Sequence, residues 1–259
     1  MRLGRYARGV KETSMSPVLA ALARPRSYCA VVLFLIVAGL GLDRYASLGW
    51  QHVLGVCTTV VLVATCLTLT PERRSQVAVV VAVATTAELL GSTWWGVYDY
   101  RLGNLPLFVP AGHGLVYISG LRLSETDWVR RRPQRLVVIA IVGALAWAVA
   151  GLTVLPRPDV AGAMGVATLV IFLIIGRAPT VYAGVFLTVA VLEIYGTWVG
   201  TWAWKATIPG LGIPDGNPPS GAASGYVLFD ICALALAPRL LAFVRLFRRD
   251  PVQAESVEV

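Results

Sequence analysis

Charged side chains are scarce in this chain, acidic ones above all: Asp and Glu number 14 in 259 residues, and all charged types together reach 14%. Soluble domains typically carry about 25% charge to cover their surface, so an ordinary water-soluble globule is excluded. Histidine occurs twice, and the four cysteines, Cys29, Cys57, Cys66 and Cys232, make no CxxC pair and stand at no metal-ligand spacing from a histidine. Neither a disulfide framework nor a zinc site is indicated, no metal or cofactor is expected, and the cysteines read as small buried hydrophobes. Missing too is the period-2 alternation or one-sided helical stripe of a soluble core.

What the chain does have is length of apolar run. Hydrophobic residues make up 57% of it and the mean hydropathy is +0.71. A lipid-facing helix must be apolar on nearly every side and about 20 residues long. Eight segments fit, at 27–42, 50–69, 77–97, 105–121, 136–155, 160–176, 181–202 and 225–244; the first and sixth are short enough to be tilted or partly re-entrant. The expected fold is therefore all-α, a polytopic transmembrane bundle of about eight helices. The first run is followed by Asp43-Arg44-Tyr45 and not by a small-x-small cleavage site, so it reads as an uncleaved span. The expected organisation is a basic cytoplasmic segment 1–26, a first transmembrane half 27–125, a basic cytoplasmic loop 126–135, a second half 136–246 and a cytoplasmic tail 247–259.

The net charge of +8 is a topology signal. With eight spans, alternate segments hold 18 of the 22 Lys and Arg residues, leaving only Arg44, Arg101, Arg157 and Lys205 on the other side. That asymmetry satisfies the positive-inside rule with both termini in the cytoplasm of a plasma-membrane protein. A nucleic-acid partner is not expected; the bilayer is.

Two stretches concentrate the unusual residues and resemble each other. One runs Glu88-Leu-Leu-Gly-Ser-Thr-Trp-Trp-Gly-Val-Tyr-Asp-Tyr100, the other Glu193-Ile-Tyr-Gly-Thr-Trp-Val-Gly-Thr-Trp-Ala-Trp204. With a one-residue gap, Glu88 matches Glu193, Gly91 matches Gly196, Gly96 matches Gly200, and Tyr98/Tyr100 match Trp202/Trp204. The simplest account is a parallel four-plus-four-helix duplication, whose axis along the membrane normal sets the motifs face to face. Chance similarity of two aromatic-rich helix ends is the alternative.

Both glutamates are expected near the bilayer midplane, where an ionisable side chain is costly unless it faces the protein interior with partners. They are candidate acid–base groups, with protonated helix-bonding glutamates as the structural reading. Asp230 is the third embedded acid and the expected coupled partner. His113, in Val109-Pro-Ala-Gly-His-Gly, enters the fourth span between flanking glycines and is either catalytic or a packing residue. Trp94, Tyr98, Tyr100, Trp198 and Trp202 are candidate walls of a binding site; for Trp95 and Trp204 the interfacial aromatic belt is sufficient explanation. Aromatic faces stabilise cations, increasingly so when water is excluded. Buried acids in an aromatic, greasy cavity suit protonation of an alkene and sheltering of the carbocation, and isoprenoids are alkenes that dissolve in the bilayer. The turn-rich loop 208–221, with Asp215, Asn217 and Ser220, reads as a polar lid or an ordinary structured turn, with Asp99, Arg101 and Asn104 in the same part in the first half.

The run Glu88-x2-Gly-x4-Gly-x-Tyr-x-Tyr-x-Leu-Gly with Phe108-Val-Pro110, and the later Trp202-x-Trp204, Gly212-Ile-Pro and Asn217, resemble the two motifs of the carotenoid-biosynthesis membrane proteins that include the bacterioruberin-type 1,2-hydratases. The resemblance covers about residues 85–225 and departs from that pattern at Ala111-Gly-His-Gly and at the Pro-Pro-Ser-Gly after Asn217. It implies cofactor-free addition of water to an isoprenoid end group, with Glu88 as acid, Tyr98 and Tyr100 as wall and Asn217 as holder of a water or of backbone. The residues themselves leave hydration, cyclisation and isomerisation open, and beside these a proton-coupled transporter of small molecules or lipid and a non-catalytic structural membrane protein.

Overall fold

A computed structural model describes residues 16–247 of the chain. Most of the basic segment 1–26 and nearly all of the tail 247–259 lie outside these residues.

The described chain is helical apart from one short ribbon. In order it forms α1 (Pro17–Ala23), α2 (Pro25–Asp43), α3 (Leu48–Leu67), α4 (Pro71–Glu88, prolonged by a π-helical turn Leu89–Trp94), β1 (Tyr98–Tyr100), α5 (Phe108–Ser124), α6 (Asp127–Arg131), α7 (Pro133–Thr153), α8 (Val160–Ile175), α9 (Pro179–Val199), β2 (Trp202–Trp204) and α10 (Ala222–Phe247). Among the described residues six helices are long and apolar enough to cross a membrane: α2, α3, α4 with its π turn, α7, α9 and α10. The chain is thus a multi-pass membrane protein. α8, at 16 residues, and α5, at 17, are shorter.

Each of α2, α4, α7 and α9 starts with a proline at its first turn. Proline lacks only an N–H that would have no intrahelical partner there, and its ring presets the helical φ. All four starts fall at one end of the bundle, which also carries Arg73, Arg122 and Arg130 to Arg132. The turns 44–47 and 154–159, the ribbon and the loop 205–221 make up the opposite end, called here the strand end.

Side chains are sorted inside out relative to a soluble protein. On α3, Val53, Val56, Val60 and Val63 form a helical stripe that is 46–60% exposed, while Gln51 and Thr65 are buried. Only a hydrocarbon surround makes that arrangement favourable. At the centre lies α5, buried without interruption from His113 to Arg122. It crosses α9 at backbone contact: a Cβ on Gly120 would come within 2.7 Å of Val181 O, and one on Gly184 within 3.0 Å of Gly120 Cα. Small residues substitute here for the hydrophobic drive that lipid does not provide between helices.

Two buried aspartates pin the connections at the strand end. Asp43 accepts Gln51 Nε2 at 2.9 Å, Gln51 in turn accepts Asn104 Nδ2 at 2.9 Å, and Arg101 donates to the carbonyls of Asp43 and Ala46. Asp159, 1% exposed, caps α8 through Gly162 N and also accepts Gly216 N at 3.0 Å and Ser220 N at 2.7 Å. The loop 205–221 is therefore an anchored structure, as its turn-rich sequence leads one to expect. Asp215 in that loop is buried, and burial together with the charge of Asp159 pushes its carboxyl up to about 7. A folded value above the unfolded one means that the native chain binds the extra proton, so stability falls as pH rises from about 4 to about 7. Asp215→Asn is accordingly expected to raise the melting temperature at pH 8 and leave it unchanged at pH 4; equal shifts at both would refute the assignment.

Candidate functional site

Both glutamates lie in the last third of their helices, closer to the strand end than the midplane expected from sequence. Beyond each, a glycine turns the chain out of the helix: Gly96 at φ 71° and Gly200 at φ 81°, conformations that other residues adopt only with strain. The two strands that follow pair antiparallel, Tyr98 opposite Trp204 and Tyr100 opposite Trp202. Residues two apart on a strand share a face, so all four rings point the same way, down onto the glutamates.

The contacts are matched pairwise. Tyr98 and Tyr100 each donate a hydroxyl to Glu88 Oε2 at 2.6 Å. Trp202 and Trp204 donate their indole N–H to Glu193 Oε2 at 2.9 and 3.2 Å. The one-residue gap between the motifs coincides with the π turn after Glu88, which takes up one extra residue before the strand. The glycine after each glutamate makes room for a ring: Tyr98 lies 3.4 Å from a Cβ built on Gly91, and Trp202 only 2.2 Å from one built on Gly196.

His113 completes the site. Its Nδ1 lies 2.9 Å from Val109 O. A carbonyl can only accept, so Nδ1 carries a hydrogen and the neutral ring leaves Nε2 bare. Nε2 is 3.2 Å from Glu88 Oε1. Nε2 is buried and makes no other contact of hydrogen-bonding geometry, so the Glu88 carboxyl is the polar group it faces. Glu88 Oε2 is already occupied by two donors. On the other side of the imidazole, Tyr226 stacks at 5.0 Å and Phe229 meets it edge-on at 5.9 Å.

These groups line one cavity of about 560 Å³, with Glu88, Glu193, His113, the four strand rings, Trp95, Tyr226 and Phe229 among its walls. Aliphatic residues of α2, α3 and α5 supply most of the rest. Its lining includes residues that are exposed on the outside of the bundle, among them Cys57 at the edge of the α3 valine stripe, and Leu90 and Trp95.

Several expected members stand elsewhere. Trp94 and Trp198 are 83% and 73% exposed and face outward from their helices. Trp95 and Trp204, read from sequence as belt residues, also line the cavity, Trp204 because the chain changes from helix to strand after Gly200 and Trp95 from the end of the π turn, where it stays half exposed. Trp95 is fixed by donating to Pro209 O at 2.9 Å. Asn104 belongs to the Asp43–Gln51 network outside the cavity. Asn217 holds backbone: its Oδ1 accepts the N–H of Trp204 at 3.0 Å, beside Arg157, which donates to Trp204 O at 3.0 Å. Asp230 does not reach the glutamates and faces a second cavity toward the arginine-rich end. Tyr226, Phe229 and Asp159 were missed; the sequence offers Gly112-His113 and Gly225-Tyr226 as parallel glycine–ring pairs opening two helices.

Comparison with protein families, characterised proteins and solved structures finds no match to this chain. Among the described residues no group of His, Cys, Asp and Glu is arranged to hold a metal ion.

The two halves of the site differ in what they can do. Around Glu88 stand two phenol hydroxyls and an imidazole, groups that can each both donate and accept a hydrogen bond. Around Glu193, both neighbours are indoles, which only donate. Glu88 thus sits among groups that can both donate and accept, and Glu193 accepts from donors alone.

Proposed function

We propose that the cavity is the active site of an integral membrane enzyme that protonates an alkene of an isoprenoid-type lipid, as a hydratase, cyclase or isomerase. What carries the reading is the convergence of two carboxyls and one imidazole on a single ring-walled cavity whose lining includes residues exposed on the outside of the bundle. A proton carried by the Glu88–His113 pair adds to one alkene carbon, the π pair forming the new C–H bond. The adjacent carbon becomes a cation, which the faces of Tyr98, Tyr100, Trp202, Trp204 and Tyr226 and the carboxylate of Glu193 stabilise. Water attack with loss of its proton, or loss of a proton from a neighbouring carbon, quenches the cation, either directly or after a second alkene has attacked it and carried the charge to a new carbon. Each route returns a proton to the Glu88–His113 pair, so the cycle balances without oxidant, reductant or cofactor. The resemblance of both motifs to the carotenoid 1,2-hydratase family favours water.

The matched carboxyl–ring contacts, the paired glycines and the buried aspartate in each half support a parallel four-plus-four duplication with the ribbon across its axis. In that scheme α5 and α8 complete eight spans, and the arginine-rich end faces the cytoplasm of a plasma-membrane protein. The decisive assay is turnover in D2O of isoprenoid alkenes by the purified protein in lipid. Product carrying one carbon-bound deuterium supports the enzyme; intact substrate moved across the bilayer with a proton supports the transporter reading, for which a second acid-lined cavity on the same central helices speaks.

Access from the bilayer gives a separate prediction. Cys57 is expected to react with a lipophilic maleimide and to be protected by a saturating isoprenoid alkene, also in a Glu88→Gln variant that cannot turn it over. Unchanged labelling in the presence of ligand would rule out this route.

A further inference from the structure

A second cavity, of about 390 Å³, lies toward the arginine-rich end between the first turns of α4 and α9 and the middles of α5 and α10. Its floor is Asp230, which is 2% exposed and whose Oδ2 has no hydrogen-bond partner. A carboxylate taken out of water without a partner is costly by several kcal/mol. Every charged or titratable group facing it can be named. From α4 come Glu72 and Arg73, from α5 Tyr117, and from α9 Tyr182. Arg73 is drawn off to Glu125, a salt bridge that also takes in Arg122. Tyr117 donates its hydroxyl to Gln76 Oε1 at 3.0 Å. Among the described residues no cation pairs with Asp230.

We infer that this cavity binds an organic ammonium group, whose charge and N–H donors satisfy Asp230. The chemistry of the walls selects such a ligand. Two phenol rings beside a carboxylate are the surroundings in which ammonium ions are held, and Gln76 offers a further acceptor. The mouth carries Glu72 and Arg73 in the first turn of α4, the guanidinium already paired with Glu125. The same ammonium arrives from two sources, a soluble amine or the headgroup of an aminophospholipid.

The full chain is reconstituted in nanodiscs of phosphatidylglycerol alone, and the melting temperature is followed with ethanolamine or choline added, against NaCl and KCl at equal ionic strength. A parallel preparation contains phosphatidylethanolamine, and retained lipid is read by native mass spectrometry. A soluble amine that raises the melting temperature, or selective retention of phosphatidylethanolamine, supports the inference and identifies the source. Asp230→Asn keeps the shape and is expected to weaken binding at least tenfold; Leu234→Trp, which fills the cavity and leaves the carboxyl, is expected to do the same. No response to amine or aminolipid, an equal response to NaCl or KCl, or full binding by both variants overturns it.

Discussion

Glu88→Gln is expected to lower turnover of an isoprenoid alkene by about 10²- to 10⁴-fold, the range over which a positioned general acid acts. The substitution is close to isosteric. The amide oxygen can keep both hydroxyl bonds from Tyr98 and Tyr100, and the amide nitrogen faces His113 Nε2. Melting temperature and Cys57 protection should therefore persist while the transferable proton is gone. Glu193→Gln is expected to cost less, since the indoles of Trp202 and Trp204 still find an oxygen and only the charge opposite the developing cation is lost. A Glu88→Gln protein retaining more than about a third of wild-type turnover would eliminate this carboxyl as the acid. Equal losses in the two variants would instead remove the division of labour between the halves.

The parts legible in the sequence are those fixed by the solvent. Apolar length alone locates α2, α3, α4, α7, α9 and α10, because each lipid-exposed backbone group must find its partner within its own helix. The same solvent argument picks out Glu88, Glu193 and His113, since embedded polar groups turn inward. What was hidden is ring direction. Read as helix to 97 and 202, the chain gives no reason to prefer Trp204 over Trp198, and a three-residue ribbon has too little period to betray itself. Gly96 and Gly200 are the residues where the rule changes, yet a glycine at a helix end is equally consistent with a plain stop. Asp230 fails for another reason. Its depth is readable from sequence, but which face of α10 looks to which cavity depends on how α4, α5 and α9 pack, and that is a tertiary outcome.

The second large effect is expected from adding a single methyl group, Gly196→Ala. Its Cβ would stand 2.2 Å from the six-membered ring of Trp202, far inside contact distance, on a helix whose backbone is locked against α5. Relief must come from the indole. Trp202 is buried, donates to Glu193 and meets Tyr100 edge-on at 6.2 Å, so moving it disturbs both carboxyls through the ribbon. Overpacking of this kind costs about 1–3 kcal/mol in stability, and a displacement of about 1 Å at a reacting centre costs on the order of 10²-fold in rate. Gly91→Ala is the matched comparison. There the nearest ring atom lies at 3.4 Å, an ordinary contact, and the π turn gives that side one more residue to adjust. Gly91→Ala is thus expected to melt and turn over close to wild type, with Gly196→Ala impaired in both and its tryptophan emission altered. Were the two alanines equally harmless, the glycine after Glu193 would be a feature of descent alone, and the tight seating of Trp202 on that carboxyl would have to be abandoned.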